Sequence, residues 1–131
     1  MQLPKELPEQ TEKTLLFVTD TTRAKWYLID GRAMSKAGSF LNPKPEYTGK
    51  ERMPHEIIEN QHQVFCKQAA RHLEDALRTI GVHRIVIATP HNIKNQFEHV
   101  LSANVKQKIR TWHDTNLYRF SGMDIARRLL K

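Results

Sequence analysis

The stretch from Arg84 to Leu101, RIVIATPHNIKNQFEHVL, contains the clearest structural signal in the chain. Residues 84–89 form a continuous apolar run, which is typical of a β-strand buried on both faces of a sheet. A polar turn that contains a proline, TPHN at 89–92, ends the run. Apolar residues then return at helical spacing from Phe97. The stretch therefore predicts a buried strand that turns directly into a helix.

Upstream of this stretch, three segments have the composition of strands: TLLFVTD (14–20), RAKWYLID (23–30) and the weaker AMSKAGSF (33–40). Only a few residues separate them, which favours antiparallel hairpins. A long helix is predicted for residues 55–80, because its apolar residues recur on one face. Gly81 is well placed to end that helix.

Downstream, Ser102 can cap a second short helix, residues 111–118 can form a last strand, and SGMDIARRLLK closes the chain as a basic amphipathic helix. Three meander strands followed by helix, strand, helix, strand and helix give a mixed sheet. The sequence therefore predicts an α/β fold with strand order 3-2-1-4-5 and helices on both faces, the three-layer ribonuclease H-like layout.

Two segments show no apolar periodicity. Residues 1–13 hold two prolines and three acids, so we expect a flexible acidic leader before a single domain at 14–131. Residues 41–54 hold three prolines, a glycine and mixed charges, which predicts a loop. This loop either docks a partner or is disordered.

The chain carries 21 lysines and arginines against 14 acids, a formal net charge of +7. The first twelve residues are acidic on balance, so the rest of the chain is more basic than this total. A basic surface suits an acidic partner, nucleic acid first. The alternative is that the charge only keeps the protein in solution.

The setting is expected to be reducing and cytoplasmic. The single cysteine, Cys66, lies in an apolar helical pattern, which favours a buried structural thiol. No stretch approaches the roughly 20 apolar residues that cross a bilayer, and the N-terminus lacks the pattern of a signal peptide. We expect no cofactor.

Four motifs together resemble the bacterial host-attachment protein family. They are VTDTTRAKWYLID (18–30), SKAGSFLNPKPE (35–46), HRIVIATPHNIKNQFEHVLSANVKQKI (83–109) and HDTNLYRFSGMDIARRL (113–129). That family is thought to be related to the middle domain of eukaryotic and archaeal class I release factors and of Pelota. The resemblance implies a release-factor-like domain and a link to ribosomes or tRNA. The family's name refers to attachment to host cells.

Two features depart from these families. The release-factor domain works through a Gly-Gly-Gln loop, whereas none of the five glycines here adjoins another or precedes a glutamine. Many host-attachment proteins have a glycine and then an arginine after the fourth strand, where this chain has residues 93–96, IKNQ. The resemblance therefore implies a binding module without the hydrolytic loop, and we expect no catalytic residue.

The ends of the first and fourth strands are the best candidate site. Parallel neighbouring strands end at the same edge of a sheet, and a helix that opens at Asn92 would offer free N–H groups to an anion. Alternatively, Asn92 only caps the helix and the turn is solvated. The candidate anion- or RNA-binding residues are Asp20, Thr22, Arg23, Thr89, His91, Asn92, Lys94, Lys106, Lys108 and Arg110.

Other functions have weaker support in the sequence. A metal-dependent phosphoesterase would need several clustered acids, but only Asp20 and Asp114 are placed near the strand ends, and Asp20 can instead cap the hairpin turn. The seven histidines show no HExxH spacing, so we expect no metal site. Trp112 and Tyr118 could stack on bases or pack at the sheet edge. A protein-interaction or adhesion role remains the main alternative and would need an exposed apolar patch.

Overall fold

The computed structural model describes residues 1–42 and 54–130, with side chains for residues 1–42 and 61–130. The predicted loop at 41–54 therefore lies mostly outside the described residues. The elements are β1 (Gln10–Thr19), β2 (Arg23–Gly31), β3 (Ala33–Leu41), α1 (Pro54–Ile80), β4 (Arg84–Thr89), α2 (His91–Val100), α3 (Ala103–Lys108), β5 (Ile109–Asp114) and α4 (Gly122–Leu129).

The five strands form one mixed sheet with the order β3-β2-β1-β4-β5. β1 pairs with β2 in antiparallel and with β4 in parallel orientation, and β5 is parallel to β4. The predicted α/β fold and strand order are confirmed. Gly81 follows α1 with φ of 71°, a left-handed conformation that suits glycine and ends the helix where the sequence predicts.

The sheet is covered on both faces. Leu15 and Phe17 of β1 point to a core that also contains buried residues of α1, α2 and α3. Leu16 and Val18 point to the opposite core, which contains buried residues of α4. All four side chains are fully buried. The alternation follows from the two-residue period of a strand, and it makes β1 the centre of a three-layer structure.

The segment for which the sequence predicts a flexible leader, residues 1–13, contacts the rest of the structure through two buried leucines. Leu3 and Leu7 are buried in the same core as α4. The Arg32 guanidinium donates hydrogen bonds to the backbone oxygens of Pro4 and Leu7. Two leucines among prolines give no recognisable period, which is why the sequence did not indicate this packing. β1 accordingly starts at Gln10, earlier than predicted.

The last strand also differs from its prediction. β5 runs from Ile109 to Asp114, whereas the sequence indicated 111–118. The chain does not continue as a strand after Asp114, and the side chain of Leu117 is buried in the core that contains α4. The segment between β5 and α4 is therefore a loop that crosses the edge of the sheet.

Trp26 of β2 depends on a glycine in the neighbouring strand. Its ring stacks on Phe17 with centroids 5.3 Å apart, and it pairs with Gly38 of β3 in the sheet register. A Cβ atom at Gly38 would lie 2.4 Å from the indole, far inside van der Waals contact. Glycine at this position thus leaves the space that the indole occupies.

We predict that Gly38→Ala lowers the free energy of unfolding by about 1–3 kcal/mol, the usual cost of forcing extra volume into a packed core. Urea unfolding followed by tryptophan fluorescence measures this. Ser39→Ala, at the exposed neighbouring position, is the matched control and should change stability by less than about 0.5 kcal/mol. Equal stability of the two variants would contradict the packing described for Trp26.

Candidate nucleic-acid interface

The turn between β1 and β2 is organised by the carboxylate of Asp20. Its Oδ1 accepts hydrogen bonds from the backbone N–H groups of Thr22 and Arg23, at 2.7 and 2.6 Å. Its Oδ2 accepts a hydrogen bond from the Arg23 side chain at 2.8 Å. Of the two interpretations of Asp20, a metal-binding acid or a cap of the hairpin turn, these hydrogen bonds correspond to the second. Both oxygens of the carboxylate accept hydrogen bonds from this hairpin turn.

Arg23 extends this arrangement towards the loop after β5. Its guanidinium lies 4.4 Å from the centre of the Tyr118 ring. The Lys25 ammonium lies 4.9 Å from the same ring and donates a hydrogen bond of 2.9 Å to the backbone oxygen of Phe120. Two cations of β2 thus hold the loop across the ends of β1 and β2, through contacts that are strengthened by the ring's negative face.

Thr89, a predicted site residue, is fully buried. Its hydroxyl accepts a hydrogen bond of 3.0 Å from the indole N–H of Trp112 in β5. Trp112 also makes an edge contact with Phe97 of α2. Thr89 is thus inaccessible to a ligand, contrary to expectation, and Trp112 is a packed aromatic at the sheet edge.

α2 starts one residue earlier than in the predicted anion site, where the helix was expected to open at Asn92. The helix begins at His91, with Pro90 as N-cap, and no described side chain caps it, so Asn92 lies inside the first turn and is not the cap. The His91 ring nitrogen Nδ1 lies 2.6 Å from a carboxylate oxygen of Asp114 at the end of β5. His91 and Asn92 are exposed, and Lys94 is half-buried.

Lys106, Lys108 and Arg110 lie at the opposite end of the sheet. In the parallel pair β4–β5, Ile85 is opposite Ile109, whereas Thr89 is opposite Asp114. The Lys108 ammonium donates a hydrogen bond of 3.1 Å to the backbone oxygen of Val82, before β4 starts. The structure therefore brings Asp20, Thr22 and Arg23 to the edge where β4 ends, and it separates the three later cations from them.

Most of the described positive charge is not neutralised by ion pairs. Among the lysines and arginines with described side chains, only Arg23, Arg78 and Arg127 form ion pairs with acids whose side chains are also described. The cations at 94, 106 and 110 form none with any described residue. An uncompensated charge of this kind raises the local concentration of anions.

Two residues that the sequence did not indicate, Lys25 and Lys36, lie near the predicted site residue Arg23. Arg23 and Lys36 both interact electrostatically with Lys25. Arg23 starts β2 next to the Asp20 turn, whereas Lys36 lies further along the sheet, opposite Tyr27. Burial lowers the pKa of Lys25, and the positive charges of Lys36 and Arg23 lower that pKa further. The sequence does contain one indication of this grouping, because residues 23 and 25 are two apart in a predicted strand and therefore lie on the same face.

The described residues contain no group of three or more histidine, cysteine or acidic side chains that could hold a metal ion. Asp20 is bound to Arg23, and Asp114 lies against His91. Burial raises the pKa of the Cys66 thiol to about 11, so this thiol stays protonated at neutral pH.

Comparison with known proteins gives a likeness of fold. No family model matches the sequence, and no curated protein is similar to it in sequence. An archaeal translation termination factor superposes with a TM-score of 0.62 at 14% identity, over 92% of this chain and 38% of that one. A second structure, described as an archaeal protein, gives 0.54 at 11% identity over 91% and 34%.

The chain therefore spans less than two fifths of the length of these two proteins. At such low identity the likeness concerns architecture, and the predicted release-factor-like fold is confirmed. None of the described helices is long and apolar enough to cross a membrane.

The Asp20 turn generates a stability prediction. Asp20→Ala should lower the free energy of unfolding by about 2–3 kcal/mol, because two backbone donors and the Arg23 guanidinium lose a charged acceptor. Asp30→Ala, at an exposed position of β2, is the control and should change it by less than about 0.5 kcal/mol. Urea unfolding compares them. If the Asp20 and Asp30 variants have the same free energy of unfolding, the Asp20 carboxylate does not organise the turn.

Proposed function

We propose that this chain is a non-catalytic module that binds RNA or a ribosome-associated RNA surface. The observation that carries the proposal is the surplus of cations that form no ion pair among the described side chains. The fold supports it, because the structure similar to 92% of this chain is that of a translation termination factor. The setting we propose is cytoplasmic.

RNA suits such a surface because every nucleotide carries a phosphate. Contacts from lysine and arginine to phosphates give affinity without reading sequence, and they weaken as salt increases. The described cations reach both ends of the sheet, since Lys94 follows β4 whereas Lys106 and Arg110 lie where β5 starts. An extended polyanion can contact such separated charges, whereas a small ligand cannot.

The proposal assigns no reaction to the chain. The Gly-Gly-Gln loop that the resemblance to release factors would require is missing from the sequence, where the glycines are single. Asp20, the acid best placed for chemistry, is held by the turn it organises. Binding is therefore the function that the side chains support.

The finer relationship, to the host-attachment family, is also part of the proposal. It rests on the order and spacing of the four sequence motifs, from VTDTTRAKWYLID to HDTNLYRFSGMDIARRL. In this proposal residues 14–131 form the family domain, and residues 1–13 are an addition to it.

A protein-interaction role without RNA receives less support. The large apolar side chains that are exposed among the described residues are Met1, Leu41 and Val64. Leu41 ends β3 and Val64 lies on α1. Exposed apolar residues are ordinary on a protein surface, whereas a docking face would need a contiguous patch.

The proposal predicts salt-dependent binding to tRNA. In electrophoretic retardation, the chain should retard labelled tRNA at about 50 mM salt, and the affinity should fall at least about tenfold at about 200 mM, because bound counterions are released. A pull-down of ribosomes from lysate, repeated after ribonuclease treatment, tests whether RNA mediates the association.

Two results would contradict the proposal. One is the absence of retardation at the lower salt concentration. The other is binding of equal strength at both concentrations, which would indicate contacts other than those to phosphate. Ribosome recovery that is unchanged by ribonuclease would favour a protein partner.

A further inference from the structure

Arg23, Lys25 and Lys36 form what we call the cationic row. Arg23 and Lys25 alternate on β2, so both side chains leave the same face of the sheet, about 7 Å apart along the strand. Tyr27 continues this series, and Lys36 of the edge strand β3 is directly opposite Tyr27. The three cations therefore line one face of two neighbouring strands.

Two members of the row, Arg23 and Lys25, are held in place by aromatic rings. Arg23 and Lys25 both lie over Tyr118, and Lys25 also lies 5.9 Å from the centre of the Tyr27 ring. The hydrogen bond from Lys25 to the Phe120 carbonyl fixes the position of its ammonium group. A binding group whose position is set before the ligand arrives loses less entropy on binding.

The row carries more positive charge than its surroundings neutralise. Asp20 forms an ion pair with Arg23, whereas Lys25 and Lys36 form no ion pair with any described residue. Burial lowers the pKa of Lys25 most, and the positive charges of Lys36 and Arg23 lower that pKa further. A bound anion would relieve the repulsion.

Building on the proposed function, we propose that the cationic row binds the phosphodiester backbone of a single-stranded RNA segment lying across β2 and β3. Positive groups spaced along a strand suit successive phosphates of one extended chain. Arg23 and Lys25 already cover the Tyr118 ring, so they occupy a ring on which a base could otherwise stack. The contact we propose is therefore with phosphate groups and does not depend on base identity.

Fluorescence anisotropy with a labelled oligouridylate of about twelve nucleotides at low salt tests the row. Lys36→Gln is the test variant, because this exposed side chain of an edge strand makes no described hydrogen bond. Lys67→Gln on α1 is the matched control, with the same change of residue and charge on an exposed helix. We expect Lys36→Gln to weaken binding about three- to tenfold and Lys67→Gln less than about twofold.

Lys25→Gln should weaken binding at least as much as Lys36→Gln, with thermal unfolding showing that the variant remains folded. Equal effects of Lys36→Gln and Lys67→Gln, or no effect of either, would overturn the cationic row as the site and leave RNA binding elsewhere on the protein intact. Failure of the unmodified chain to bind tRNA or the oligonucleotide would overturn the proposed function itself.

Discussion

The structure depends on the burial of β1 on both faces. A strand whose successive residues Leu15, Leu16, Phe17 and Val18 are all fully buried needs a layer of helices on each side. α1, α2 and α3 supply one layer, and α4 with the first residues of the chain supplies the other. β1 also pairs in parallel with β4, which brings the ends of these two strands to one edge.

That edge connects the fold to the surface we propose for RNA. Asp20 closes the turn after β1 and orients Arg23, which lies over Tyr118. Lys25 reaches the same ring from two residues further along β2. One carboxylate therefore sets the geometry of the hairpin and holds the first member of the cationic row, so stability and the binding that we propose share the same turn.

The order of elements could be predicted from the sequence because apolar runs and helical periods are local signals. The grouping of the site residues could not be predicted as reliably, because it depends on where each strand starts. Placing the last strand at 111–118 left Arg110 outside it, whereas β5 begins at Ile109 and carries Arg110 at its far end. The burial of Thr89 depends on Trp112, 23 residues away in the sequence. Lys36 comes close to Lys25 because β2 pairs with β3, and the register of that pairing cannot be read from the two segments separately.

The most direct test of this account is an NMR titration of the isotopically labelled chain with a single-stranded RNA oligonucleotide. The account predicts that the amide signals of Arg23 to Tyr27, of the strand residues around Lys36, and of Tyr118 to Gly122 shift first and saturate together. Shifts confined to Lys106–Arg110 or to the exposed face of α1, with the β2 and β3 signals unchanged, would contradict it.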